Sequence, residues 1–239
     1  MPTTLTIIQY KKCYIPFAFI AMMVFRIPLW LNKNISFYKL MGSGKNGTFD
    51  KTPDLQQWAV LTVDRREVTD DRKKNLLQNL YGTFIAKWVQ LFNCNTYTYL
   101  LTPIEGHGLW DGKKVFGKLP PKSDYEGKIA VLTRATIRLS QLKNFWKNVE
   151  GVASQMASAK GFITSYGIGE IPWIKQATFS IWESKEAMKS FAYGMQQHTT
   201  VIKKTRQQKW YSEDMFVRFI IDDCIALNGF LPQKSDRIS

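Results

Sequence analysis

Two runs decide the fold: Phe162-Ile163-Thr164-Ser165-Tyr166-Gly167-Ile168 and Ala177-Thr178-Phe179-Ser180-Ile181-Trp182. Both are short, rich in β-branched and aromatic residues, and separated by a stretch holding Gly169 and Pro172, so they read as two strands joined by a turn. On the N-terminal side, Lys128 to Arg138 has the same Val, Ile and Thr content and forms another strand. Ser140 then opens a helix with Leu142, Phe145, Trp146 and Val149 at helical spacing. On the C-terminal side, Ser184 is placed to cap a long helix from about Lys185 to Lys209, and Met215 to Ile221 supplies a last strand. The resulting order, β-α-β-β-α-β, is the ferredoxin-like arrangement.

The same pattern occurs earlier. Phe37, Gly42 and Gly44 recur at one constant offset as Phe162, Gly167 and Gly169. Each copy continues through a proline with glutamine four residues on, Pro53 to Gln57 and Pro172 to Gln176. Each then enters an apolar strand closed by an acidic residue, Asp64 or Glu183. Shared order of this kind is the mark of internal repetition. Thr3 to Tyr10 opens the first copy and Cys94 to Leu101 closes it, while Gly112 to Gly127, with Pro120-Pro121 inside, reads as the linker. The expectation is an α+β chain of tandem ferredoxin-like units, 1–119 and 120–239. Packed face to face, within one chain or between chains, such sheets make an α+β barrel of the dimeric-barrel type.

Composition bounds the function. The 239 residues are 45% hydrophobic and 22% charged, an ordinary globular balance. Cys13, Cys94 and Cys224 are odd in number and far apart, so neither a disulfide framework nor a paired-cysteine metal site is visible, and a cytoplasmic location follows. The net charge of +14 favours acidic partners: nucleic acid, an anionic membrane face or an acidic protein. Its densest run, Lys203, Lys204, Arg206 and Lys209, also reads as the solvated face of one helix. Tyr14 to Leu31 is apolar but interrupted by Arg26 and Pro28, short of the roughly 20 apolar residues of a spanning helix, and reads as a buried element of the fold.

Gly42-Ser43-Gly44-Lys45-Asn46-Gly47 matches G-x-G-x-x-G, yet no apolar helical period follows it to receive a pyrophosphate. A glycine-rich hairpin is the better reading, and Asn46 after Lys45 excludes a P-loop. No nucleophile elbow, H-E-x-x-H helix or zinc pattern occurs in the sequence. On the long helix, Met188, Phe191, Met195, His198, Ile202 and Thr205 share one apolar stripe, with Gly194 removing bulk one turn before the histidine. His198 is therefore either a core residue or a ligand facing an apolar pocket, and a neutral imidazole is the usual proximal ligand of haem iron. His107, in Glu105-Gly106-His107-Gly108, reads as a turn residue. Arg134 interrupts an apolar strand: a salt bridge or an edge position explains it, as does a cation set over a cofactor to hold an oxygen ligand or propionate. Trp173, Phe179, Trp182 and Trp210 suit a core, or the wall of a large apolar pocket.

Several segments in fixed order resemble the spheroidene monooxygenase family: Ala130 to Ile137, Gly167 to Trp173, Ala177 to Trp182, and Phe191-Ala192-Tyr193 through His198, Trp210, Glu213 and Phe216 to Arg218-Phe219. Phe37 to Gly44 with Pro53, Asp54 and Trp58 continues the likeness into the first half. The resemblance implies a haem-containing oxygenase that inserts oxygen from O2 beside the methoxy end of an acyclic carotenoid, giving a ketone. It further implies haem b with its iron on His198, lined by Phe191, Gly194, Met195 and Ile202, with Arg134 as the catalytic cation. A ferredoxin-type acidic donor would supply electrons, and peripheral membrane contact and a homodimer are left open. The lysines of the first half (Lys33, Lys39, Lys45, Lys51) depart from the low-lysine members of phototrophs. A cofactor-free module binding a small apolar molecule is the alternative from a different class, and non-specific nucleic-acid binding rests on charge alone.

Overall fold

The computed structural model describes residues 1–45, 52–65, 75–194 and 209–228. These fall into two compact units, built on the described parts of Met1–Ser43, Asp54–Pro103 and Ile221–Leu231, and of Gly44–Pro53, Ile104–Ile220 and Pro232–Ser239.

The first unit contains β1 (Thr3–Gln9), α1 (Ile15–Val24), α2 (Arg26–Leu31), β2 (Ile35–Gly44), β3 (Pro53–Asp64), α3 (Leu76–Tyr81), α4 (Thr83–Leu91) and β4 (Asn95–Gly108). Its sheet has the order β4-β1-β3-β2. β1 lies antiparallel to both neighbours, with Leu5 opposite Leu61 on β3 and Tyr99 on β4. Alternation along β1 sends Thr4, Thr6 and Ile8 to one face. There Ile8 joins Val60, Leu77, Leu80, Ile85 and Val89 in the unit's core. Buried hydroxyls must find partners, and these do: Thr4 bonds Thr62 at 2.7 Å, Thr6 bonds Thr98 at 2.9 Å, and the Tyr81 hydroxyl meets Thr4 and Thr6 at 3.1 and 2.7 Å.

The second unit contains β5 (Ile129–Ile137), α5 (Leu142–Ala157), β6 (Phe162–Ile171), β7 (Lys175–Trp182), α6 (Lys185–Gly194) and β8 (Tyr211–Leu227). Its sheet has the order β8-β5-β7-β6. β5 is antiparallel to β7 and β8, and β7 to β6. One cluster gathers Ile129, Val131, Met156, Trp182, Met188 and Phe191, and another gathers Ile137, Phe145, Trp146 and Trp210. Full burial of a side chain of this size contributes about 1.5–3 kcal/mol. Ser184 Oγ accepts the Ala187 N–H at 3.1 Å, the expected cap of α6.

The repeat lands on matching elements. Phe37, Gly42 and Gly44 lie on β2, and Phe162, Gly167 and Gly169 on β6, each the second strand of its unit. Gly42 and Gly44 lie at the end of a strand, and the Lys45 N–H donates to the Thr52 carbonyl at 3.0 Å, as a hairpin requires.

Several expectations change. Along the sequence the two compact units alternate, since the long strands β4 and β8 each contribute residues to both. β8 serves the second unit up to Ile220 and the first from Ile221. The stretch read as a linker belongs to the second unit, with Phe116 buried and the Pro120 carbonyl accepting the Gly106 N–H at 3.2 Å. Trp173 leaves the expected aromatic core: at φ 63° in the β6–β7 turn it is 55% exposed, while Phe179, Trp182 and Trp210 are buried. Tyr14 to Leu31 is helical, and only one side of it is buried. The span Lys12–Leu31 is 20 residues long and holds an 18-residue window of mean hydropathy 1.7, enough by length and composition to cross a membrane, with only 22% of that window buried.

Candidate functional site

The charged side chains that the sequence scatters come together in the second unit as two braces. Arg134, on β5, is 1% exposed. β5 has neighbours on both sides, so it is no edge strand. A buried guanidinium needs acceptors, and three carboxylates supply them: Glu213 of β8 in direct contact, Asp111 and Glu170 each at 3.5 Å. The Trp110 ring lies 5.5 Å from the guanidinium carbon, and its indole N–H donates to Glu170 at 2.8 Å. Lys175 pairs with Asp111 at 2.7 Å.

The turn Trp110–Lys113 makes this possible. Asp111 and Gly112 both adopt positive φ, 49° and 74°, which Gly and, among L-residues, Asp tolerate. Their N–H groups point at Glu213, donating at 2.9 and 2.7 Å. Burial works to raise the Glu213 pKa, but these N–H donors and Arg134 outweigh it and hold the carboxyl below its ordinary 4.5. Of the readings the sequence left open for Arg134, the geometry is that of the salt bridge.

The second brace centres on Glu105 of β4, which is buried. Lys185, the first residue of α6, donates to it at 2.8 Å, Arg218 of β8 is in direct contact, and the Ser123 N–H donates at 2.7 Å. Burial lowers the Arg218 pKa. This brace fixes the start of α6, which carries Phe191 and Gly194.

The candidate ligand residues stand as follows. Phe191 is 7% exposed, its ring 5.3 Å from Trp182 and closed into the core with Met188 and Met156. Gly194 ends α6. Met195, His198, Ile202 and Thr205 lie outside the described residues, as do Lys203, Lys204 and Arg206. A flat macrocycle needs open space beside its helix, and Phe191 already has its space filled. It does not fit as part of a haem wall. Among the described residues no group of three or more His, Cys, Asp or Glu is placed to hold a metal ion.

His107 is a strand residue of β4 rather than part of a turn, and it stacks on Phe216 with ring centroids 5.7 Å apart. A cleft of about 190 Å³ opens beside it, lined by Gly106, Gly108, Lys114, Phe116 and Met215 among others. Pockets for drug-sized ligands run to roughly 300–1,000 Å³, so this cleft is small beside them. The flanking glycines mark a close approach: a Cβ on Gly106 would meet the Phe216 carbonyl at 2.6 Å, and one on Gly108 the Asp214 carbonyl at 2.2 Å. Sequence reasoning passed over this place, although two glycines around a histidine are the signal of such an approach.

No family model matches the chain. Spheroidene monooxygenase of Cereibacter sphaeroides is 33% identical over 186 residues, 77% of this chain and 55% of that protein, so the chain spans about half of that relative's length. Spheroidene monooxygenase of Rubrivivax gelatinosus is 31% identical over 190 residues, 77% of this chain and 68% of that protein. Among solved structures, an aldoxime dehydratase in complex with butyraldoxime superposes with a TM-score of 0.62 at 8% identity, covering 95% of this chain and 82% of that one. Identity that low speaks for a shared fold only.

Proposed function

The chain belongs to the spheroidene monooxygenase family, and from that premise we propose that it is a monooxygenase oxidising an apolar, carotenoid-like molecule. The observation that carries this reading is the sequence identity to two relatives bearing that name, extending over 77% of the chain in each case. The strand orders of the two units support reading each as ferredoxin-like, since in both the first strand sits between the third and the fourth. The proposed reaction is two successive hydroxylations of one methylene, each taking one oxygen atom from O2 and two electrons from a ferredoxin-type donor with the other oxygen leaving as water, after which the geminal diol loses water to leave a keto group. The excess of basic residues suits the docking of an acidic donor.

Haem b on His198 is the cofactor we propose, on the resemblance alone. Bound haem would supply the activation of O2. The described residues contribute a fixed start for α6, which ends at Gly194, through Lys185 and Glu105. They do not contribute a lined pocket, because Phe191 is committed to the core. Arg134 is held by carboxylates through its two terminal nitrogens, and we assign it to bracing β5, β6 and β8 rather than to touching substrate.

Two measurements separate the parts of this proposal. Co-expression with an acyclic carotenoid pathway is expected to yield a keto product whose new oxygen comes from isotopically heavy O2. An unchanged carotenoid profile, with an active relative as control, would refute the oxygenase. Protein made with added haem precursor is expected to show a Soret band that His198→Ala loses or shifts. Equal spectra for both would rule out His198 as the ligand.

A further inference from the structure

We propose that the outer face of α1 and α2 docks the protein on an anionic lipid bilayer, with both helices lying flat at the headgroup boundary. This goes beyond the oxygenase reading and does not depend on it. The two helices are apolar on both sides. Their inner side, Ala18, Ala21, Phe25 and Leu29, is sealed into the core of the first unit. On the outer side Ile20, Met23, Ile27, Trp30 and Leu31 recur at spacings of three and four, the spacing of one helix stripe. Met23 is 72% exposed, Trp30 75% and Leu31 62%. A helix apolar all round belongs in a core or in lipid, and soluble surfaces carry such side chains singly rather than in a row.

Charge identifies the occupant. Lys11 and Lys12 precede α1, Arg26 stands at the junction, Lys33 follows α2, and all four are exposed. The adjacent helix α4, whose Phe84 and Trp88 rings meet Phe25 at 6.3 and 5.8 Å, adds exposed Phe84, Lys87 and Leu91. No Asp or Glu occurs before Asp50, nor anywhere from Asn75 to Ile104. A greasy surface rimmed by cations and free of carboxylates complements anionic headgroups over acyl chains. A second copy docked by the same face would set these cations against each other.

The helices lie on the bilayer rather than through it. α1 has 10 residues and α2 has 6, so they extend about 15 and 9 Å, against a hydrocarbon core of about 30 Å. Their inner side is also held by protein. Trp30 is the residue type that settles at the lipid–water boundary.

Sedimentation of the full chain with vesicles tests this, using phosphatidylcholine alone and phosphatidylcholine mixed with phosphatidylglycerol. The chain is expected to pellet with the mixed vesicles and far less with the neutral ones. Replacing Met23, Ile27 and Trp30 by Gln is expected to weaken binding at least about tenfold with circular dichroism and thermal midpoint unchanged. Lys11→Glu with Lys12→Glu, which leaves the apolar stripe intact, is expected to weaken it on the order of tenfold at low salt. Wild type left in the supernatant with both vesicles overturns the proposal, as does undiminished binding of the glutamine variant. So does a solution dimer that the glutamine variant turns monomeric while vesicle binding stays the same, which would give the face to a second copy.

Discussion

At Arg134 one buried cation answers to Asp111, Glu170 and Glu213. Removing it leaves three partly exposed carboxylates facing one another, which places the cost at or below the low end of the roughly 3–5 kcal/mol of a fully buried pair broken from one side. Arg134→Met is therefore expected to lower stability by at most about 3 kcal/mol, read as a shift in the urea midpoint. Destabilisation no larger than that of an exposed-lysine control such as Lys113→Met would show that the brace contributes little. Glu213 adds a pH signature. Its folded pKa lies below 4.5, so its contribution is fully present above the unfolded value and disappears as pH falls through the folded one. The thermal midpoint should fall on acidification below about pH 4.5, and Glu213→Gln should flatten that fall. Parallel curves for both proteins would contradict the assignment. Arg134 was legible in the sequence as a charge interrupting an apolar strand. Its partners were not, because they come from a turn and two strands spread over about a hundred residues.

Among the elements, strands and caps were the most readable. β5 and the β6–β7 pair announce themselves by β-branched content and by turn residues between them, and Ser184 caps where a hydroxyl should. The α1–α2 segment was misjudged because apolar composition gives hydrophobicity but not what covers it. Periodicity cannot separate a buried side from an exposed one when both are apolar. Local pattern also could not show that β4 extends through Gly106-His107-Gly108, since glycines ordinarily end strands. There the packing of β4 on β8 decides. Gly108 has φ 93°, and a Cβ on it would press on the Asp214 carbonyl. Gly108→Ala is expected to cost about 1–3 kcal/mol and to expose the end of β4, seen as faster amide exchange at Leu109, whose N–H donates to that same carbonyl. Unchanged exchange there would mean that the strands separate without penalty.

For the molecule as a whole, the repeat marks corresponding strands, β2 with β6 and β3 with β7, without marking where a compact unit ends. Sequence similarity follows elements, whereas a compact unit follows packing, and the two diverge where a strand outgrows its unit. β8 does so. Its segment from Ile221 belongs to the first unit, where Asp222 accepts a hydrogen bond from Thr102 at 2.8 Å, Ile225 packs against the core, and Asn228 donates to the Cys94 carbonyl at 3.0 Å. A fragment of residues 1–119 lacks that segment and leaves β4 as an open sheet edge, the feature that invites pairing with other chains. Expressed alone, the fragment should aggregate or elute as large oligomers. Supplying residues 120–239 as a second polypeptide should restore a soluble complex with the circular dichroism of the intact chain, because the missing strand returns with it. A monomeric, cooperatively folding 1–119 fragment would mean that the first unit closes its own edge, and that the division near residue 119 expected from the repeat is the physical one.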